Sequence, residues 1–221
     1  MDIFWENTLM ILEGLGASLY MTLFATLFAY VLGLPLGVLT IITGRDSILP
    51  APRLHSVLGW VINIGRSIPF IILMVALIPF TRFVVGRATG STAAIVPLVV
   101  AAAPFVARMV ETSLEEVDPG VVEAARTMGA TTWQIIYKVF LPESVPSLIR
   151  GASITTITLI GYSAIAGAIG AGGLGDIAIR FGYYRYQDDI MIYTIVVLVV
   201  LVQIIQSVFN FTAKKIDKRS V

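Results

Sequence analysis

The sequence predicts an all-α integral membrane protein. It should have five transmembrane helices and a pair of short cytoplasmic helices, with the N-terminus outside and the C-terminus inside. Three observations carry this. The 221 residues are 57% hydrophobic and 13% charged, against about 25% charged in an ordinary soluble domain. Apolar runs recur five times at the length a bilayer demands, since a hydrocarbon core of roughly 30 Å needs about 20 apolar residues. The basic residues divide unevenly between the two sets of connecting segments, which orients the chain.

The first span, about 15–43, lies inside a charge-free run at 14–44 that is over-long for one crossing and contains Pro35. Ala25, Ala29, Gly33 and Gly37 recur there every four residues, a stripe of small side chains that lets a neighbouring backbone come close. The second span, about 57–79, contains Arg66 in the stretch NIGRSIPF. An arginine within a membrane is costly and faces protein or water. Pro69, three residues on, frees a backbone carbonyl and kinks the helix. Two readings of Arg66 stand: a structural cation that satisfies the kink, or one that lines a substrate path. The third span is about 90–110, the fourth about 150–172 and the fifth about 190–213. No linker or fixed-period repeat divides the chain, so residues 1–221 read as one membrane domain with a cytoplasmic loop at about 111–149.

Arg45, Arg53, Arg126, Lys138, Arg150, Lys214, Lys215, Lys218 and Arg219 fall on one side of these spans, and Arg82, Arg87, Arg180 and Arg185 on the other. The richer side, with the C-terminus and the 111–149 loop, is assigned to the cytoplasm. The first stretch, MDIFWENTLMILEG, has acids but no Lys or Arg, so no cleavable signal peptide is expected.

Several function classes find no residues to support them. There is no cysteine, which removes disulfides, thiolate metal sites and cysteine nucleophiles. His55 is the one histidine; it sits in a short loop without acids at metal spacing and reads as a surface residue, and no Ser-His-Asp set forms without it. GAGGLG at 170–175 matches G-x-G-x-x-G, but it ends a span on the external side instead of joining a strand to a helix. Its glycines read as a helix break where a re-entrant loop packs closely, near a gate. Glu115, Glu116 and Asp118 read as first-turn charges of a helix. No G-x-x-x-x-G-K-[ST] occurs, so no P-loop holds ATP here. No Asp or Glu lies well inside the five runs, where a transporter driven by an ion gradient would normally need one.

The loop itself is patterned. Asp118 can cap a helix, with Pro119 in its first turn and Gly129 just past its end, and Val121, Ala124 or Ala125, and Met128 then share a face. Thr131 and Gln134 form a capping box for a second helix, which runs through Trp133, Ile136 and Val139 or Phe140 and ends at Pro142. A hairpin lying on lipid is one reading, and a helix that fills a groove of a soluble partner is the other. The small alanines favour the partner, because lipid anchoring uses bulkier side chains. A membrane scaffold that only recruits such a partner fits this pattern too.

Glu123-Ala124-Ala125, three residues, Gly129, nine residues, Val139, one residue, Leu141-Pro142 resembles the EAA motif of bacterial ABC importer permeases, E-A-A-x3-G-x9-I-x-L-P, departing from it only at Val139. The segments RSIPFIILM, GRATGSTAAIVPL, AAAPFVARMVE and GYSAIAGAIGAGGLG, within residues 66–175, are similar to methionine ABC importer permeases. The resemblance implies a transport subunit, not itself an enzyme, that moves L- or D-methionine across the bacterial inner membrane. Glu123, Ala124, Ala125, Gly129, Val139, Leu141 and Pro142 would couple it to a cytoplasmic ABC ATPase present in two copies. A second copy of the permease, an external methionine-binding protein and the lipid bilayer are the other partners implied, with no nucleic acid. ATP and Mg would be bound on the ATPase, leaving no cofactor and no metal on this chain. Arg66, Pro69, Tyr162 and Ser163 are placed nearest the translocation path and gate. An ABC importer of another amino acid or small solute is the competing reading.

Overall fold

The computed structural model describes residues 2–217, with side chains from residue 7 onward; Lys218 and Arg219, counted above for orientation, lie outside the described residues. The described chain is helical nearly throughout. Helix α1 (Asp2–Ile42) runs 41 residues through Pro35, about 60 Å at 1.5 Å per residue and twice a hydrocarbon core. It begins well before the predicted span at 15–43, because the charge-free run marks the lipid-embedded part of a longer helix. The small-residue stripe does what its spacing implies. A methyl group on Gly33 would lie 2.7 Å from the Ala103 carbonyl oxygen and from Val106 Cβ. Helix α5 (Ser91–Glu115) therefore rides against the α1 backbone, and Ala25, Ala29, Leu98, Ala102, Val106 and Val110 form the centre of the core.

The second predicted span is corrected. It is a helix α2 (Pro52–Ser67) and a helix α3 (Phe70–Ala76) that meet at 98°. The cause is local. A residue before proline is pushed out of the helical region, and Ile68 is extended at φ −84°, ψ 123°; Pro69 follows at φ −58°, ψ 133°. Among the described residues four helices are individually long and apolar enough to cross a membrane, and five only if α2 and α3 count as one broken span. Helix α4 (Ile78–Val85) closes the first half at Gly86, φ 80°.

Helix α6 (Pro119–Thr127) and helix α7 (Thr132–Ile135) follow. The predicted stop at Pro142 is corrected: α7 passes through a wide π turn (Ile136–Phe140) into α8 (Leu141–Ala166). Proline has no N–H to donate, but the turn shifts the ladder so that Leu141 N–H bonds Ile136 C=O and the chain continues. A second wide turn (Gly167–Ala171) is broken at Gly170, φ 97°, and leads into α9 (Gly173–Ile177). A third (Ala178–Tyr183) precedes α10 (Asp188–Ile216). Helix α10 leans on α8 and is only 11% buried over its most apolar stretch; Arg150 ties its end to the α8 region through a 2.7 Å ion pair with Asp217.

Two polar ends result. One gathers the 43–51 loop, α6, α7 and the end of α10. The other holds the 86–90 loop and the glycine turn, where Gly90 N–H donates to the Gly170 carbonyl at 3.0 Å. There Ser91 donates to the Ala171 carbonyl at 2.9 Å and Ser18 Oγ accepts from Leu174 N–H at 2.9 Å. This is the close-packed helix break expected of GAGGLG. A Cβ on Gly173 would stand 2.7 Å from Ser18 Oγ.

Candidate functional site

Two regions concentrate the residues singled out by sequence: the α6–α7 elbow and a cavity at the α2–α3 break.

The elbow is built from its caps. Asp118 accepts from Gly120 N–H at 2.7 Å and opens α6. At its end Ala130 N–H reaches the Ala125 carbonyl at 3.1 Å and Gly129 N–H the Arg126 carbonyl at 3.0 Å, the paired bonds of a Schellman motif. That motif needs a left-handed residue, and Gly129 supplies it at φ 80°. The capping box is present as predicted: Thr131 N–H donates to Gln134 Oε1 at 2.8 Å, and Gln134 N–H to Thr131 Oγ1 at 3.3 Å.

Val121, Ala124 and Met128 share an exposed face of α6 as expected, whereas Ile136 and Phe140 of the following segment turn inward from the expected face with Trp133. Ala125 is buried and Val122, Val139 and Leu141 pack against the core beside it, so these hold the elbow to the spans. Glu123, Ala124, Gly129 and Pro142 are exposed. Met128, Trp133 and Tyr137 stand out from the same end, 82%, 73% and 67% exposed. This apolar surface is larger than the alanines alone would give. Tyr137 carried no sequence signal as a surface group, because it lies within the wide turn itself, whose residue spacing departs from an ordinary helix. Behind α6 lies a cavity of about 530 Å³ bordered by Asp46, Glu115, Glu123, Arg126 and Phe140. Glu115 and Glu116 do not open a helix as expected; they end α5, with Glu116 as its C-cap. His55 is half-buried, and its Nδ1 donates to the Thr40 carbonyl at 2.9 Å, so it ties α2 to α1.

The second region brings Arg66 and Tyr162 together. They share the wall of a cavity of about 150 Å³ with Phe70, Ala102, Thr155 and Thr158. The Phe70 and Tyr162 rings stack with centroids 4.5 Å apart and planes within 1°. Pro69 creates this space through the bend but does not border it. Ser163 does not face it either: it is buried and donates to the Ile160 carbonyl at 2.8 Å. One turn below, Arg108 bridges α5 to α2, bonding Glu111 at 2.8 Å and Asn63 at 3.1 Å. Sequence reading passed over this tie because Arg108 and Asn63 lie 45 positions apart. Among the described residues Arg66 makes no hydrogen bond or ion pair, so the reading in which it satisfies the kink finds no bond to rest on.

Residues 33–220 match the model of a family described as the binding-protein-dependent transport system inner membrane component. The chain belongs to this family. As a binding-protein-dependent inner membrane component it has relatives nearly coextensive with it. It is 50% identical over 213 residues to the probable D-methionine transport system permease protein MetI of Vibrio cholerae, covering 96% of this chain and 95% of that one. It is 48% identical over 181 residues to the methionine import system permease protein MetP of Bacillus subtilis, 82% of each. Among solved structures, an inward-facing conformation of the MetNI methionine ABC transporter superposes with TM-score 0.94 at 46% identity, covering 99% of both chains.

Proposed function

We propose that this chain is the membrane-spanning permease subunit of an ATP-driven ABC importer of L- and D-methionine in a bacterial inner membrane. The observation that carries this is the near-complete, roughly half-identical match to methionine permeases, joined to a superposition on the MetNI transporter over almost every residue. It is a transport component, and ATP with Mg belongs to two copies of a separate cytoplasmic ATPase. A second permease copy packs against it, and an external methionine-binding protein delivers the solute.

The elbow is the coupling element in this reading. Met128, Trp133, Tyr137 and Ala124 form the apolar surface that enters a groove of the ATPase, with Glu123 and Arg126 beside it for charge pairing. Ala125, Val139 and Leu141 anchor that surface to the spans, and the unbroken path from α7 into α8 carries a push from the ATPase into the membrane. The Pro69 break and α8, with Arg66, Tyr162 and the supporting Ser163, border the translocation path. Arg66 and the hydroxyls supply polarity, and apolar side chains supply the rest. The charge bias of the two ends supports an elbow and a C-terminus on the inside.

The test is growth of a methionine auxotroph that lacks its own importer on D-methionine as sole source. Cells receiving this permease with its ATPase and binding protein should grow, and cells whose ATPase cannot hydrolyse ATP should not. Growth independent of hydrolysis would replace the importer with a gradient-driven carrier; no growth in either, with the complex assembled, would remove methionine as substrate.

A further inference from the structure

We infer that the cavity at the α2–α3 break is a resting site for the amino acid on this chain, with Arg66 holding the α-carboxylate; this rests on the import function proposed above. Three features of the cavity match three parts of the solute. The first is charge. Arg66 is without a described partner, and no Asp or Glu borders the cavity. Arg66 is exposed at the mouth of the cavity, and its planar fork matches a carboxylate in two parallel hydrogen bonds.

The second is a flat apolar wall. The Phe70–Tyr162 stack sits next to Arg66. A thioether is polarizable and favours aromatic surfaces. The same wall accepts an alkyl chain of equal length, only less well. The third is an acceptor. Thr158 Oγ1 donates its proton to the Ile154 carbonyl at 2.9 Å, which leaves lone pairs for an ammonium group. Size agrees as well: about 150 Å³ is below the roughly 300–1,000 Å³ of drug-sized pockets and suits one small amino acid. A neutral sugar would bring no carboxylate to the cation, and a peptide would outgrow a cavity of about 150 Å³.

The experiment uses the assembled ATPase–permease complex in lipid nanodiscs, without binding protein, and measures displaceable binding of radiolabelled L-methionine. Unlabelled L-methionine should displace it, norleucine should displace it several-fold less well, and methioninol, which lacks the carboxylate, should fail at tenfold higher concentration. Arg66→Gln should weaken binding at least tenfold, Arg66→Lys less, and Tyr162→Leu several-fold. Phe83→Ala, at an exposed position away from the cavity, should bind as wild type does. The binding arm overturns the inference in three ways: no displaceable binding by a complex that imports methionine when the binding protein is added, wild-type binding by Arg66→Gln, or equal displacement by methioninol. If Arg66→Gln does not assemble, the methioninol comparison on wild type decides alone. Absence of uptake as well as binding would instead sink the import function, and this site with it.

Discussion

At Gly129 one backbone angle decides what the elbow tolerates. Its φ of 80° is left-handed and nothing stands within 4 Å of an added Cβ, so the constraint is conformational, not steric. An alanine there costs about 1 kcal/mol. Gly129→Asn, which adopts this region readily, should leave ATPase co-purification and uptake near wild type. Gly129→Asp places a carboxylate next to the exposed Met128 and should reduce both. Equal behaviour of the two variants in a pull-down would show that charge at this surface is irrelevant. The motif spacing made Gly129 and the capping box legible. It did not separate Ala124 from Ala125, because adjacent residues on a helix lie 100° apart and only the packing partner decides which one turns inward. Asn63→Ala removes the acceptor that holds Arg108 across to α2. Uptake should fall while complex yield stays, and unchanged uptake would make the bridge incidental.

Among the elements, α1 and α5 form the rigid pair on which the others hang. The four-residue stripe was readable because small residues at that period serve little purpose on a lipid-facing surface. Gly33→Val drives side-chain carbons into the Ala103 carbonyl and Val106; overpacking costs about 1–3 kcal/mol, and a backbone neighbour leaves little room to relax. The detergent-solubilised protein should lose thermal stability. Gly59→Ala, where nothing lies within 4 Å, should hold or raise it, since alanine is the better helix former by about 1 kcal/mol. Equal melting temperatures for the two variants would contradict the packing described. Two elements were misread for a shared reason, since hydropathy reports how apolar a run is and not where it points. The 98° break at Pro69 therefore looked like a kink, and the helix through Pro142 looked like an end.

Over the whole molecule, the fold joins an exposed apolar surface at one end, a continuous helical path through α7 and α8, and a cavity at a broken helix whose cation, Arg66, has no partner among the described residues. In the proposed importer that arrangement would turn force on a soluble subunit into movement around a small solute. The class and the two capped helices of the loop were legible in the sequence from the apolar runs, the EAA spacing and the capping residues. The cavity was not, because Arg66 lies more than 90 positions from Thr158 and Tyr162 and meets them only through packing. The central claim is tested most directly in sealed proteoliposomes containing this chain, its ATPase and the binding protein, by following radiolabelled methionine accumulation with ATP supplied on the ATPase side. The account predicts accumulation above the external concentration that needs hydrolysable ATP and disappears when Trp133→Asp disrupts the docking surface. Accumulation without ATP, or uptake by Trp133→Asp at the wild-type rate, would contradict it.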